Sequence, residues 1–357
     1  MSDRIYIASN QLDAGRSSII LGMATKLKKQ GKKVGYFKPW IIPSQESETG
    51  ALVDPNIYLL KQTLNLPETL EELGGVIIPP NYLHEFLQQG RQNVWNKILD
   101  AWENISQKDY DIMLIEGHGY PSFGLSLSIS NAHLAKAFDA NPIIVARMDP
   151  QQPDRILDSI LGTKERFVES VPRFSIINRV PADIHTELME EVDKELANHG
   201  ITNIGNLPEN KILASPMVGE ILKKVRGQIL VTSEGAEEKL VISTLVGAME
   251  VEMAMPYFRK IPNKAVITGA DRADMIFGAL ETDTALLILT GGKYPDSAVI
   301  SAARRKEVPM MLVPYDTLTA VKQIETMSWP ITIDNAPKIK EIETLVDKHL
   351  NLDLLFR

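Results

Sequence analysis

Ser9-Asn10-Gln11-Leu12-Asp13-Ala14-Gly15-Arg16-Ser17-Ser18 follows the apolar run Arg4–Ser9 and leads into a segment of helical character, Ser17–Lys29. A glycine-bearing turn between a strand and a helix is where backbone N–H groups and a helix N-terminus converge on an anion. The phosphate-loop pattern G-x-x-x-x-G-K-[ST] is altered here at two places: Asn10 stands at the first glycine and Arg16 at the lysine. Gly15 still permits the tight turn, and Ser17 still offers a hydroxyl to magnesium. Arg16 keeps the positive charge, but its guanidinium is planar and does not give up a proton. Read alone, the stretch also fits an ordinary strand–helix turn; Asn10, Asp13, Gly15, Arg16, Ser17 and Ser18 are its candidate phosphate-binding residues.

Outward from this loop, short apolar runs alternate with longer mixed segments. Strands are expected at Lys33–Phe37, Ile112–Glu116, Ile143–Arg147, Phe174–Asn178 and Ile204–Leu207. Helices are expected at Asn56–Thr63, Leu83–Ile105, Asn131–Phe138, Pro153–Phe167 and His185–Asn198. Strand–helix alternation predicts an α/β fold, a parallel sheet with helices on both faces. The alternation resumes with strands at Ala265–Thr268, Leu286–Thr290 and Met310–Val313, and helices at Arg272–Glu281, Ser297–Lys306 and Thr317–Glu325. We therefore expect a nucleotide-type domain over 1–207, a smaller α/β domain over 208–325 and a helical tail over 326–357, with the boundary at the polar stretch Leu207-Pro208-Glu209-Asn210.

Three strand ends in the first half carry matching chemistry. Lys38-Pro39 puts a cation at the carboxyl end of the second strand, where open parallel sheets bind ligands. Ile112-Met113-Leu114-Ile115-Glu116 is an apolar strand ending in a carboxylate, the arrangement that holds magnesium opposite a loop hydroxyl. Asn178, at the end of another strand, offers an amide that can read a base edge. Lys38 and Glu116 each also have a plainer reading as a solvated strand-end residue. Asp54-Pro55 reads equally as a helix start, and His118, beside Glu116, is expected to be a solvated imidazole because one histidine builds no metal site.

Composition narrows the class. The 357 residues are 44% hydrophobic and 24% charged, which is globular rather than disordered or coiled-coil. No apolar run reaches membrane-spanning length and no signal-peptide pattern opens the chain, so no membrane partner and a cytoplasmic location are expected. The absence of cysteine excludes thiolate catalysis, disulfides and cysteine-held metals. With 38 basic and 46 acidic residues the net charge is −8, so nucleic acid is not an expected partner.

In the second half, Thr268-Gly269-Ala270-Asp271-Arg272 and Thr290-Gly291-Gly292 each follow an apolar strand. Two such turns at adjacent parallel strand ends form one crevice, in which Arg272, the Thr290 hydroxyl and the glycine amides are expected to meet a small anionic ligand or a second subunit. The plainer alternative is that Asp271 caps a helix and the glycines merely end strands.

The first-half ordering resembles the dethiobiotin synthetase branch of P-loop proteins, which includes the cobyrinic acid diamide synthases. That resemblance implies that Arg16 and Lys38 flank the phosphates as the catalytic cations. It also implies that Ser17, Asp54 and Glu116 hold Mg2+ and that Asn178 reads the base. Asp271, Arg272, Thr290, Gly291 and Gly292 resemble the DRTGG domain. The pair together resembles the N-terminal regulatory portion of long-form phosphate acetyltransferases, across Gly35-Tyr36-Phe37-Lys38-Pro39, Ile115-Glu116-Gly117, Ser215-Pro216-Met217-Val218-Gly219-Glu220 and Asn263–Gly269. It implies a nucleotide-binding regulatory protein taking ATP or another nucleotide with Mg2+, a small metabolite in the second domain and homo-oligomeric assembly, without an acetyltransferase catalytic domain in this chain. The other readings are an ATP-dependent ligase of the dethiobiotin synthetase type, and a degenerate scaffold that binds no nucleotide.

Overall fold

The computed structural model describes residues 3–46, 52–168, 170–327 and 329–356. Parts of the expected domain spans, including Met1, Glu169, Ser328 and Arg357, therefore lie outside the described residues. The chain divides into two units: residues 1–210 with 332–357, and residues 211–331.

The first unit runs β1 (Asp3–Ser9), α1 (Arg16–Lys29), β2 (Val34–Ile41), a short antiparallel pair β3 (Gln45–Glu46) and β4 (Leu52–Val53), α2 (Pro55–Leu64), β5 (Gly74–Ile77), α3 (Tyr82–Gln89) and α4 (Arg91–Ser106). It continues through β6 (Ile112–Glu116), α5 (Asn131–Ala137), β7 (Asn141–Arg147), α6 (Arg155–Lys164), β8 (Phe174–Val180), α7 (Thr186–Asn198) and β9 (Thr202–Pro208). Seven strands form one parallel sheet in the order β5-β2-β6-β1-β7-β8-β9, with helices on both sides. β6 is buried along its whole length and β1 over Ile5–Ser9, as expected of strands covered on both faces. The expected P-loop-type α/β class is therefore the observed one.

Two local outcomes differ from expectation. The helix expected over Leu83–Ile105 is two helices, because Gly90 takes φ 84°, which breaks the helical path. β2 continues through Pro39 to Ile41, because β5 pairs with it at Lys38, Trp40 and Ile41. Lys38 thus projects from a strand held on both sides.

The second unit contains α8 (Lys211–Ala214), α9 (Val218–Lys224), β10 (Gln228–Val231), β11 (Ser243–Val246), α10 (Val251–Lys260), β12 (Lys264–Gly269), α11 (Ala273–Leu280), β13 (Thr284–Thr290), α12 (Ser297–Arg305), β14 (Met310–Leu312) and α13 (Thr317–Thr326). Its five strands order as β10-β14-β13-β12-β11, with only β10 antiparallel to its neighbour.

α14 (Ala336–His349) belongs to the first unit rather than forming a separate tail. It packs on α1 across Gly22, where an added Cβ would overlap the Val346 methyl and lie 3.1 Å from the Ile342 carbonyl oxygen. Lys26 of α1 donates to the Asp347 and Leu350 carbonyls, satisfying the end of α14. We expect Gly22→Leu to cost about 2 kcal/mol through overpacking at a site bounded by backbone. Thermal unfolding together with faster amide exchange across 336–349 reads that loss; unchanged exchange there contradicts the packing account.

Candidate functional site

The loop between β1 and α1 lies near the middle of the sheet, at its carboxyl edge. Asp13 (φ 55°) and Gly15 (φ 85°) take left-handed backbone, which turns successive amides toward a common point. α1 starts after Gly15 with no side-chain cap and no acidic residue in its first turn. Its leading N–H groups and positive dipole end are left for an anion. Ser18 lies in that same first turn.

Asn10 does not face the anion position. Its Oδ1 accepts the Arg147 N–H at 3.1 Å and its Nδ2 donates to Ser159 Oγ at 2.8 Å, tying the loop to β7 and α6. Asn178 is committed in the same way: Nδ2 donates to the Ala14 carbonyl at 2.8 Å and Oδ1 accepts the Arg179 N–H. The amide expected to read a base instead buttresses the loop, because β8 lies close enough for Asn178 to contact Gly15.

Glu116, fully buried at the end of β6, is the hub. Ser17 Oγ donates to its Oε1 at 2.7 Å, Asn56 Nδ2 to the same oxygen at 3.1 Å and Tyr36 OH to Oε2 at 2.5 Å. Arg16 lies 3.5 Å and Lys38 3.9 Å from Oε1. Burial pushes the Glu116 carboxyl up, but Lys38 and Arg16, with the Tyr36 and Ser17 hydroxyls, outweigh it and hold the group below the ordinary carboxylate range. Burial and the neighbouring carboxylates of Glu116 and Asp54 push the Tyr36 hydroxyl well up, so Tyr36 acts as a donor.

Asp54 caps α2, accepting the Asn56 and Ile57 N–H groups. Its carboxylate also accepts Lys38 Nζ at 2.8 and 2.9 Å and the Ile42 N–H at 2.8 Å. Asp54, expected either to start a helix or to hold Mg2+, is the cap of α2, and the same carboxylate pairs with Lys38 and orients its ammonium. The buried Lys38 and the partly buried Arg16 offset two buried carboxylates, and the order of residues is Ser17–Glu116–Lys38–Asp54, with Arg16 beside Glu116.

Two residues here were missed in the sequence. Tyr36 lies two positions before Lys38 on β2, so strand alternation put it on the same face; Asn56 is hidden behind the Asp54-Pro55 helix start. The Arg16 guanidinium donates to Ser9 Oγ at 2.9 Å, yet its Nε is buried with no hydrogen-bond partner among the described residues. A buried donor left unmatched beside an uncapped helix N-terminus fits an oxyanion ligand. Ser17 and Glu116 are hard oxygen donors and suit magnesium, which takes few protein ligands. Among the described residues no cluster of three His, Cys, Asp or Glu could hold a metal alone, so phosphate oxygens and water would complete its shell.

His118 corrects an expectation. It is not a solvated imidazole: its ring stacks on Phe123 at 3.8 Å, and Nδ1 accepts the Tyr120 N–H. Burial, then the charges of Arg16 and Lys38, pull it down to about 4. The unfolded chain takes up this proton near pH 6.5 and the folded chain only near 4, so the unfolded state binds more protons between those values. Stability of the ligand-free protein should fall as pH drops from about 6.5 to about 4, by roughly 3 kcal/mol from this group. His118→Phe should flatten that segment of the pH–stability curve; a curve parallel to wild type contradicts the assignment.

In the second unit, Gly269 and Thr290 are register partners, so the two turns do lie side by side. Their groups are nevertheless used internally. The Gly291 and Gly292 amides donate to the Tyr315 and Val313 carbonyls, and Thr290 Oγ1 contacts the Thr268 carbonyl and Thr317 Oγ1. Arg272 donates to the Met249 carbonyl at 2.6 Å and pairs with Asp274, while Asp271 makes no cap to α11. The glycine amides expected to meet a ligand instead fasten β13 to the segment after β14.

A parallel sheet with a glycine turn, a helix N-terminus and a strand-end carboxylate at its centre defines a P-loop-type domain. The chain belongs to the AAA_26 family, described as an AAA domain, which matches residues 3–217; the DRTGG domain matches residues 220–327. The phosphate acetyltransferase of Synechocystis sp. is 22% identical over 376 positions, covering 98% of this chain and 51% of that protein. That of Nitratidesulfovibrio vulgaris is 24% identical, with 98% and 51% covered. The chain thus spans about half the length of these relatives. A structure of the CBS and DRTGG domains of the regulatory region of Clostridium perfringens pyrophosphatase, complexed with the activator diadenosine tetraphosphate, is 17% identical. It covers 51% of this chain and 90% of its own, with a TM-score of 0.29. Among the described residues no helix is long and apolar enough to cross a membrane.

Proposed function

We propose that the first unit binds ATP or a related nucleotide with Mg2+, and that the chain is a nucleotide-responsive regulatory protein of the cytoplasm. The observation that carries this reading is the unmatched buried Nε of Arg16 beside the uncapped start of α1, within reach of Ser17 and Glu116. Arg16 and Lys38 would grip phosphate oxygens, Ser17 and Glu116 would hold the metal, and Asp54 would orient Lys38. Magnesium would supply charge neutralisation at the phosphates. The regulatory part of the reading is supported by the match of this chain to about half the length of its phosphate acetyltransferase relatives, with a small metabolite or a protein contact as the second unit's input.

Arginine at the loop cation position favours holding nucleotide over turning it over. Its fork clamps a ground-state phosphate, whereas lysine follows charge along the reaction path as a mobile point. Arg16→Lys is therefore expected to hold or raise phosphate release, and Arg16→Ala to weaken nucleotide binding. Single-turnover measurement with ATP tests this. Wild-type turnover at the ~1–10³ s⁻¹ usual for enzymes would replace the regulatory reading with the ATP-dependent ligase reading, which the buried Lys38 beside Glu116 supports. No binding by any variant would leave only the scaffold reading.

A further inference from the structure

β11 is an edge strand: it pairs with β12 on one side and with no strand among the described residues on the other. Natural sheets blunt or cover such an edge, since its free N–H and C=O groups template pairing with another chain. Beside it, Val246 and Met249 are exposed, and α10 turns Met253 (65% exposed) and Tyr257 (56%) to the surface. The opposite face of α10 buries Ala254 and Phe258 in the core beneath the sheet.

The charges on α10 indicate what covers this surface. Glu250 and Glu252 lie at its start and Arg259 and Lys260 at its end, with the exposed apolar side chains between. The exposed positions Glu252, Met253, Pro256, Tyr257 and Lys260 form one stripe at helical spacing. A two-fold axis passing by Pro256 would set Glu252 of one chain opposite Lys260 of the other and bring the Met253 and Tyr257 side chains together. The same antiparallel arrangement opposes the two helix dipoles favourably. It is also the arrangement that antiparallel pairing of two β11 edges imposes on the helices packed beside them. We propose that this face binds a second copy of the chain, joining the two five-stranded sheets through β11 in an isologous interface.

Arg272 acquires a role in this account. Its bond to the Met249 carbonyl fixes the turn between β11 and α10, so the Asp-Arg motif positions the interface rather than a ligand. The proposal depends on the second unit's surface alone and is independent of nucleotide binding.

Sedimentation of the full chain over a concentration series tests it. Wild type should be a reversible dimer, and Met253→Glu combined with Tyr257→Glu should be monomeric with an unchanged circular dichroism spectrum. Glu252→Lys should weaken the dimer by at least ~10-fold, and adding Lys260→Glu in the same chain should restore it. Amide exchange at 243–246 should be slow in wild type and fast in the monomeric variant. A wild-type monomer at every concentration would leave this face to a different protein and overturn the proposal. So would a dimer indifferent to these substitutions, or a charge swap that fails to restore it.

Discussion

Lys38→Met should lower the stability of the ligand-free protein by about 3–5 kcal/mol, although methionine closely matches lysine in size. Lys38 is 5% exposed and Asp54 2%, and the ammonium lies within 2.9 Å of both Asp54 oxygens. Without it, Asp54 remains a buried charge that among the described residues is held by backbone N–H groups alone, and Glu116 loses the Lys38 cation. The loss is an unpaired-charge effect rather than a packing effect, so it can be reversed. Lys38→Met combined with Asp54→Asn neutralises the stranded carboxylate while keeping an oxygen for the α2 cap. We expect the double variant to recover more than half of the lost stability in denaturant unfolding. A single variant within ~1 kcal/mol of wild type would show that the pair contributes little.

Gly15→Ala should reduce nucleotide affinity by at least ~100-fold, equivalent to about 2.7 kcal/mol. Gly15 takes φ 85°, and an added Cβ would fall on the Asn178 amide nitrogen. Alanine therefore meets both left-handed backbone strain and a clash with the side chain that buttresses the loop. The two causes separate experimentally. Asn178→Ala relieves the clash and leaves the backbone strain, so the Gly15→Ala/Asn178→Ala pair should regain part of the affinity. Equal affinity for wild type and Gly15→Ala, measured by fluorescent nucleotide displacement, would remove the loop from the binding account.

The parts of this architecture that were legible in the sequence are those encoded locally. Arg4–Ser9 followed by Gly15 and a helical segment marks a strand–turn–helix, and Ile112–Glu116 marks a buried strand with a charge at its end. Lys38, Ser17 and Glu116 were found from those patterns and converge in the structure. β5 was missed because Gly74-Gly75-Val76-Ile77 is short and glycine-rich, and becomes a strand only by pairing with β2. β10 and β11 were missed for a related reason, as each is a four-residue strand at one edge of its sheet.

Side-chain direction was the harder quantity. Asn10 and Asn178 have the chemistry to meet a nucleotide, yet both spend their amides on the loop. That outcome depends on which strands become neighbours: Asn10 reaches Ser159 and Asn178 reaches Ala14 across large sequence separations. The same holds for Gly291 and Gly292, whose amides are taken by the segment after β14. Residue type and spacing thus indicated which side chains gather at the carboxyl edge of the sheet, while strand order decided what each of them bonds to.

Calorimetric titration of ATP into the purified chain, in magnesium and again in EDTA, decides whether the first unit is a magnesium–nucleotide site. One saturable site per chain is expected in magnesium, with much weaker binding in EDTA. Glu116→Gln should lower affinity far more in magnesium than in its absence, because Glu116 would act through the metal. Absence of binding in magnesium, or equal affinity in both conditions with Glu116→Gln weakening both alike, would contradict this assignment.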